Sequence, residues 1–233
     1  MKIALFGYGK MGKMIEQIAL QRDHTIVAKV DVDAKEIDFC EMDVAIDFST
    51  PNAAYGNIKG CLEHNVPIIS GTTGWLNKFD EIVNLCNETK GGFIYASNYS
   101  LGVNIFFELN EYLAKMMANL NQYKVSMEEI HHTQKLDAPS GTAISLAEGI
   151  IKNSDLSQWK LGKAREGEIP ITSKRIDAVP GTHTITYDSK VDSIELKHTA
   201  HNREGFALGA VVAAEWIVGK TGVFTMKDVL NLG

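Results

Sequence analysis

A glycine pattern near the N-terminus narrows the folds that this chain can adopt more than any other part of its sequence. Residues 7–12 read Gly-Tyr-Gly-Lys-Met-Gly and follow directly on the short apolar run at 2–6. Apolar residues at helical spacing then run from 11 to 22. Glycines between a strand and a helix favour a tight turn that lets the two elements approach closely. The chain is therefore predicted to open with a strand, a glycine turn and a helix.

The same glycine turn predicts a dinucleotide site. Gly7 permits the turn, Gly9 lets the backbone approach a pyrophosphate, and Gly12 lets helix and strand pack closely. The helix N-terminus offers free N–H groups and the positive end of its dipole to phosphates. Asp31 ends the next predicted strand, where its carboxylate can accept hydrogen bonds from ribose hydroxyls. The alternative is a glycine-rich turn that binds no ligand.

Strand-like and helix-like patterns alternate through the first hundred residues. Strands are predicted at 2–6, 25–30, 44–48, 68–69 and 93–96. Helices are predicted at 11–22, 51–64 and 76–89. This alternation predicts right-handed crossovers and a parallel sheet with helices on both faces. The expected fold class is α/β, with a Rossmann-type dinucleotide-binding domain.

The pattern changes after residue 100. Helices are predicted at 103–120 and 141–151, a strand at 123–130, and a polar stretch at 152–167. Three β-type runs, at 171–179, 182–187 and 193–199, predict a mixed or antiparallel sheet. An apolar helix at 206–218 and an amphipathic tail at 226–232 close the chain. We expect residues 1–99, completed by 204–233, to form the first domain, and 100–203 to form an α+β domain.

Two further polar segments follow predicted parallel strands, at the sheet edge where ligands bind in such folds. One reads Ser-Gly-Thr-Thr-Gly at 70–74, and the other reads Ala-Ser-Asn-Tyr-Ser at 96–100. Each is alternatively a connecting turn with no ligand. With the glycine turn they complete the predicted cofactor-binding residues, which are Gly7, Tyr8, Gly9, Lys10, Met11, Gly12, Asp31, Gly71, Thr72, Thr73, Ala96, Ser97, Asn98 and Tyr99.

The densest group of chemically active side chains lies at 129–143. His131 and His132 titrate nearest neutral pH and are natural proton carriers. Lys135 supplies a cation for a carboxylate or a proton for a nitrogen. Each of these residues, taken alone, is more often structural or simply solvated. Their density within a few positions favours a catalytic segment.

A helix start is predicted within the same segment. Pro139 breaks the run, so the helix should begin near Ser140. Gly141 and Thr142 would then present backbone N–H groups and a hydroxyl, a suitable place for a carboxylate. The alternative is that Ser140 is only an N-cap.

Composition narrows the possible partners. A net charge of -6 with scattered basic residues argues against nucleic acid or a membrane as the main partner. Neither a membrane span nor a signal peptide is expected from the apolar runs. No metal site is expected, because the three cysteines are widely spaced and no third and fourth ligand follow the two histidines. The cysteine pattern favours a reducing compartment, the cytoplasm.

Residues 129–143 match E-x-H-H-x-x-K-x-D-A-P-S-G-T-A. With weaker matches at 47–49, 71–74, 98–104 and 224–230, the chain resembles the hydroxy-tetrahydrodipicolinate (dihydrodipicolinate) reductase family over nearly its whole length. The resemblance implies a two-domain nicotinamide reductase of lysine and diaminopimelate biosynthesis. Its substrate would be a small cyclic imine dicarboxylate. The resemblance also implies a homotetramer built through the sheet of the second domain, which would bind substrate and mediate oligomerisation.

The family's functional residues carry over onto matching positions. His131 matches the proton donor and acceptor, and Lys135 matches the proton donor. His132, Gly141 and Thr142 match substrate-binding positions, and Ser140 is predicted to share that role. The cofactor-binding positions match the residues named above.

Two departures from the family concern the cofactor. Many members have arginine where this chain has Lys10, and arginine just after the acidic residue, where this chain has Val32. Asp31 favours the free hydroxyls of NADH and repels the extra phosphate of NADPH, whereas Lys10 could reach that phosphate. Lys29 and Lys35 are further candidate cations. We predict use of both NADH and NADPH, with NADH equal or modestly favoured.

Two other classes of function remain as alternatives. A different dehydrogenase on the same scaffold would need its own substrate motif in place of 131–142, and none is found. A non-catalytic redox sensor would usually carry a DNA-binding module, and the chain has no basic helix or spare length for one.

Overall fold

The computed structural model describes residues 1–31 and 37–232, so Val32 and Lys35 lie outside the described residues. The chain forms two compact units. Unit 1 comprises Met1–Asn104 and Glu204–Gly233, and unit 2 comprises Ile105–Arg203. Within the described ranges, none of the helices has the length and apolar character needed to cross a bilayer.

Strands and helices account for most of the described part of the chain. The strands are β1 (Lys2–Phe6), β2 (Thr25–Val30), β3 (Val44–Asp47), β4 (Ile68–Ser70), β5 (Gly92–Tyr95), β6 (Lys124–His131), β7 (Gln158–Leu161), β8 (Glu168–Arg175), β9 (Gly181–Asp188), β10 (Ser193–Ala200) and β11 (Gly222–Phe224). The helices are α1 (Lys10–Gln21), α2 (Pro51–Glu63), α3 (Phe79–Thr89), α4 (Leu101–Met117), α5 (Gly141–Ile151), α6 (Glu204–Ile217) and α7 (Met226–Leu230). A short 3-10 turn, Leu76–Lys78, precedes α3.

Unit 1 contains a parallel sheet with the strand order β11-β5-β4-β3-β1-β2. Strand β1 lies between β2 and β3, so the winding of the sheet reverses beside it. Ligands of open α/β sheets bind at such a reversal, outside the carboxyl ends of the strands. The predicted Rossmann-type fold is confirmed.

Both faces of this sheet are buried. Ile3 and Leu5 of β1 belong to the apolar cluster that includes residues of α1 and α6. Ala4 and Phe6 belong to the opposite cluster, which includes residues of α2 and α3. Successive side chains of a strand point to opposite faces, so an apolar run with no polar alternation fits a sheet covered on both sides.

Unit 2 contains a mixed sheet with the order β10-β9-β6-β8-β7. Strand β6 pairs antiparallel with β9 and parallel with β8, as the predicted mixed sheet requires. Phe106 of α4 and Leu146 of α5 pack in one cluster with Met127, Ile171 and Ile185 of the sheet. Burial on this face fixes the strand register, which in turn positions the polar residues described below.

Two strands are absent from the sequence predictions, and β8 begins and ends earlier than the run predicted at 171–179. The sequence predicts only a polar stretch at 152–167, but β7 lies within it. Three of its four residues are exposed, so its alternation is weak, and Trp159 alone packs against the core. Strand β11 has three residues and pairs with β5, and so short a run carries too little pattern to detect. Helix α4 ends at Met117, three residues before the predicted end.

Candidate active site

The glycine loop between β1 and α1 has the geometry that a pyrophosphate requires. Gly7 has a φ of +87°, and a Cβ there would lie 2.2 Å from the Phe48 carbonyl oxygen. A Cβ at Gly12 would lie 2.3 Å from the Gly7 carbonyl oxygen, so this glycine lets α1 pack onto the turn. At Gly9 a Cβ would meet nothing within 4 Å, which leaves open space at the helix N-terminus. The loop therefore fits the phosphates of a dinucleotide.

The side chains of this loop differ in their availability to a ligand. The Tyr8 hydroxyl donates to the Glu16 carboxylate and accepts a hydrogen bond from the Lys29 ammonium at 3.1 Å. Lys29 also pairs with Glu16 at 2.7 Å and lies 4.6 Å from the centre of the Tyr8 ring. Lys10 and Asp31 are exposed, and Met11 is half-buried against the core. Lys10 is thus better placed than Lys29 to meet a phosphate.

A buried carboxylate, Asp47, connects the loops at the carboxyl ends of β3 and β4. It accepts hydrogen bonds from Ser49 Oγ at 2.6 Å, Asn57 Nδ2 at 3.0 Å, Ser70 Oγ at 2.8 Å and Thr72 Oγ1 at 2.7 Å. These bonds fix the start of the predicted cofactor segment 71–73. The signal in the sequence is an acidic residue that ends an apolar strand, but that pattern alone predicts no role for it.

Replacing Asp47 with alanine is expected to lower the free energy of unfolding by more than about 2 kcal/mol, because four donors lose a buried acceptor. Urea denaturation monitored by circular dichroism measures the effect. The matched control is Asn57→Ala, which removes only one of those donors and should cost less than about 1.5 kcal/mol. An Asp47→Ala protein as stable as the wild type would show that the four bonds contribute little.

The segment that follows β5 faces partly inward. Tyr99 is 1% exposed, and its hydroxyl donates to the carbonyl oxygens of Ser70 at 3.0 Å and Ile94 at 3.3 Å. Burial raises the pKa of this phenol well above its ordinary value. Ser97 is exposed, while Ala96 and Asn98 are half-buried. The side chain of Tyr99 therefore packs in the core, and its predicted contact with a cofactor would fall to its backbone.

In unit 2, strand pairing brings together polar residues that are distant in sequence. Glu129 on β6 lies opposite Ser173 on β8 and His183 on β9, and His131 follows two residues later on the same face. His131 is 7% exposed, its Nδ1 lies 3.2 Å from Glu129 Oε2, and its ring centre lies 5.1 Å from that of His183. Sequence reasoning missed Glu129 and His183 because only the register of the sheet places them beside His131.

The charges of this cluster follow from burial and hydrogen bonding. Burial opposes ionisation of Glu129, but the nearby His131 and hydrogen bonds from Ser140 and Ser173 outweigh it and hold its pKa well below the ordinary value. Burial, and secondly the nearby His131, lower the pKa of His183 to about 4. At neutral pH the cluster therefore holds an ionised Glu129 and a neutral His183.

The loop that carries Lys135 is held by Arg175, a third residue that sequence reasoning missed. The Arg175 guanidinium donates to the backbone oxygens of Lys135 at 3.2 Å and Asp137 at 2.6 Å. It also donates to Glu129 Oε1 at 3.2 Å. The Lys135 ammonium pairs with the Asp137 carboxylate at 2.8 Å, and the lysine side chain is 24% exposed. Lys135 is thus held near the surface beside a carboxylate that is largely exposed.

Helix α5 begins where the sequence predicts. The Ser140 hydroxyl accepts a hydrogen bond from the Ala143 amide at 3.2 Å and lies 3.1 Å from His183 Nε2. Ser140 is 3% exposed, so its hydroxyl serves as the N-cap, the structural alternative for this residue. Gly141 is exposed, and a Cβ there would meet nothing within 4 Å. The free N–H groups of the first turn therefore border open space, which suits a carboxylate.

His132 occupies a different place from His131. It lines a cavity of about 530 Å³ within unit 2, and its Nδ1 is buried with no hydrogen-bond partner among the described residues. The other residues of this cavity are Thr133, Gln134, Asp177, Ala178, Pro180, Asn202 and Arg203. A larger cavity of about 640 Å³ in the same unit is lined by none of the predicted site residues.

Strand pairing creates a group of potential metal ligands that spacing along the chain does not indicate. One ligand atom each of Glu129, His131 and His183 lies within 4.8 Å of the others, a spacing that a metal ion can bridge. However, Glu129 already accepts hydrogen bonds from Ser140 and Ser173 and pairs with the Arg175 guanidinium, whose positive charge opposes a cation. The group is better described as a hydrogen-bonded network, and the absence of a metal stays a prediction.

Comparison with known proteins identifies the family. Two family models match, dihydrodipicolinate reductase N-terminus over residues 1–99 and C-terminus over residues 102–230. A 4-hydroxy-tetrahydrodipicolinate reductase from Christiangramia forsetii is 58% identical over 99% of this chain and 98% of its own length. The chain belongs to the dihydrodipicolinate reductase family. A reductase of this family from Thermosipho africanus is 36% identical, over 99% of this chain and 98% of its own.

Solved structures agree with the fold. A dipicolinate-bound dihydrodipicolinate reductase from Paenisporosarcina sp. TG-14 matches with a TM-score of 0.81 at 23% identity, covering 96% of this chain and 97% of its own. A probable dehydrogenase from Thermotoga maritima matches with a TM-score of 0.59 at 10% identity, covering 98% of this chain and 92% of its own. The reductases of this family and more distant dehydrogenases thus share the fold described above.

Proposed function

We propose that this member of the dihydrodipicolinate reductase family reduces 4-hydroxy-tetrahydrodipicolinate to tetrahydrodipicolinate, in lysine and diaminopimelate biosynthesis. The observation that carries the proposal is the full-length match to a reductase of that name at 58% identity. The segment from His131 to Thr142 in unit 2 supports it, since it combines proton-carrying groups with an open helix start.

We propose that unit 1 binds NADH or NADPH. Support comes from the open backbone at Gly9, the close packing at Gly7 and Gly12, and the exposed carboxylate of Asp31. The segments 71–73 and 96–99 follow β4 and β5 at the same edge of the sheet and would complete the site. The cofactor, when bound, supplies the hydride, and the chain supplies binding, orientation and protons.

The substrate's two carboxylates need two anchors, and unit 2 offers them. We propose that the free N–H groups at Gly141 and Thr142 hold one carboxylate. Lys135 and His132 are the candidate partners for the other. The present partner of Lys135 is the exposed Asp137, and an exposed ion pair contributes less than about 1 kcal/mol, so a substrate carboxylate can replace it. His131 and Lys135 are the proposed proton carriers, because both side chains can gain and lose a proton. His131 is the last residue of β6, and Lys135 lies in the loop that follows.

The function is tested by following the absorbance of reduced cofactor with purified protein and freshly generated 4-hydroxy-tetrahydrodipicolinate. NADH or NADPH should be oxidised only when the cyclic imine is present. The control omits the imine and keeps every other component of the mixture. Binding of cofactor with no oxidation in the complete mixture would contradict the proposal and favour the redox-sensor alternative.

For the cofactor we propose dual use, with NADH equal or modestly favoured. Asp31 opposes the extra phosphate of NADPH, while Lys10 attracts it, and a solvated ion pair is worth under about 1 kcal/mol. The measurement is the ratio of kcat/KM for the two cofactors at one ionic strength. Lys10→Ala should lower kcat/KM for NADPH but not NADH, whereas Lys13→Ala, one helical turn away, serves as the control. A preference for NADPH in the wild type beyond about tenfold, or 1.4 kcal/mol, would contradict this balance.

We further propose that the protein assembles as a homotetramer through the sheet of unit 2. Strand β10 at the edge of that sheet and the turn before it expose apolar side chains at Ile194 and Val191, which supports an interface there. We place the protein in the cytoplasm, on the ground that its three cysteines are free thiols.

A further inference from the structure

One buried side chain lies beside His131, the start of α5 and the arginine that holds the Lys135 loop, although the proposed function gives it no role. Glu129 is completely buried, and its carboxylate lies 3.2 Å from His131 Nδ1. Both carboxylate oxygens accept the Ser140 amide hydrogen bond at 3.1 Å, next to the open helix start at Gly141. The same carboxylate accepts from Arg175, which holds the Lys135 loop.

The strand register explains why one carboxylate lies beside His131, the start of α5 and Arg175. Glu129 lies in the middle of the mixed sheet, with β8 on one side and β9 on the other. Ser173 on β8 donates to it at 2.8 Å, and His183 Nε2 on β9 lies 3.8 Å away. Because side chains alternate along a strand, Glu129 and His131 share a face while Glu128, the residue before Glu129, points to the other side.

The negative charge of Glu129 acts first on His131. Beside this imidazole lie His183 on β9, whose ring centre is 5.1 Å away, and Arg175, its pairing partner on β8. His183 is neutral and Arg175 is a cation, so Glu129 is the anion of this group. Among the described residues His131 Nδ1 makes no hydrogen bond, although Glu129 Oε2 lies 3.2 Å from it.

The two nitrogens of His131 therefore have different surroundings. Nδ1 faces the carboxylate and is buried. Nε2 lies against Gly181, where a Cβ would be 3.1 Å away, so the glycine leaves room at this nitrogen. A carboxylate beside one imidazole nitrogen holds the proton there and leaves the other nitrogen to exchange protons.

We propose that Glu129 is the positioning residue of the site, which keeps the proton of His131 on Nδ1 and aligns the α5 helix start and the Lys135 loop with it. This inference rests on the proposed function, in which His131 carries a proton to or from the substrate. Glu129 itself does not touch the substrate. Its effect is transmitted through His131, Ser140 and Arg175.

The test compares Glu129→Gln with Glu128→Gln in the full-length protein. The two variants carry the same chemical change on adjacent residues of β6, but Glu128 is partly exposed and pairs with Lys174 outside the cluster. Glu129→Gln should lower kcat about 10-fold or more, the scale seen when the carboxylate partner of a functional histidine is removed. Nitrogen-15 NMR of the same variant should show that the proton of His131 no longer prefers Nδ1, because the carboxylate beside that nitrogen is lost. The affinity for NADH should stay at the wild-type value.

A purely structural role would lower the melting temperature of Glu129→Gln but leave kcat and the position of the His131 proton in its folded fraction unchanged, and that result would overturn the proposal. If the variant does not fold, nitrogen-15 NMR of the histidine rings in the wild-type protein decides the question. A proton on Nδ1 of His131 supports the proposal, and a proton on Nε2 alone overturns it. This readout does not depend on turnover, so an inactive wild type would contradict the proposed function without deciding the role of Glu129.

Discussion

Replacing Lys135 or His131 with alanine is expected to lower turnover by roughly 10²–10⁴-fold, the usual contribution of a positioned acid or base. Both residues belong to unit 2, at the end of β6 and in the loop that follows it. The proposed cofactor-binding residues belong to unit 1, so NADH affinity should barely change. Steady-state kinetics and a fluorescence titration with NADH measure the two effects.

The matched control for the lysine is Lys174→Ala. Lys174 lies on β8, is half-exposed and pairs with Glu128 on the other face of the sheet, so its removal should leave turnover near the wild-type value. Thermal unfolding of each variant shows whether the fold is retained. Near-normal turnover in a folded Lys135→Ala protein would rule out its proposed role as proton donor.

Replacing Gly141 with valine is expected to weaken binding of dipicolinate, a planar analogue of the substrate, by roughly 30-fold. The open space at this position lets a carboxylate approach the N–H groups of the helix start, and a valine side chain would fill it. Loss of charge-assisted hydrogen bonds worth about 2 kcal/mol corresponds to that change. Isothermal titration calorimetry measures the affinity, and the circular dichroism spectrum should stay native, because a Cβ here meets no protein atom within 4 Å.

Ser140→Ala provides the contrast for Gly141→Val. Ser140 is the buried N-cap of α5, so its replacement should lower the free energy of unfolding by about 1 kcal/mol or more. If Gly141→Val instead unfolds the protein, and its folded fraction keeps wild-type kinetics, then Gly141 is only part of a structural helix start.

The parts of the molecule that could be predicted from sequence are those set by local patterns. Each of these patterns depends on residues that are close together in the sequence. They are the glycine turn, the alternating strands and helices of unit 1, and the start of α5. The parts that were missed depend on pairing between distant strands. Glu129 and His183 meet across β6 and β9, and Arg175 reaches the site from β8. Nothing in the spacing of these residues along the chain indicates that they are neighbours.

Burial explains the remaining differences at the predicted site. The sequence predicts Ser140 at a substrate site and Tyr99 at a cofactor site, because one stands at a helix start and the other follows a parallel strand. In the structure each hydroxyl is bonded within the protein, Ser140 to the first turn of α5 and Tyr99 to backbone carbonyls. Orientation at such positions depends on the packing of the whole unit, which a local motif does not specify. Contacts of Ser140 and Tyr99 with ligands therefore stay predictions, and their backbone atoms would have to make these contacts.

The activity proposed for this chain couples oxidation of reduced nicotinamide to reduction of the cyclic imine. The most direct test measures tetrahydrodipicolinate by mass spectrometry, in parallel with the loss of NADH absorbance in the same reaction. We predict one molecule of product for each NADH oxidised, and neither change when the enzyme is omitted. Oxidation of NADH without formation of tetrahydrodipicolinate would contradict the proposed activity.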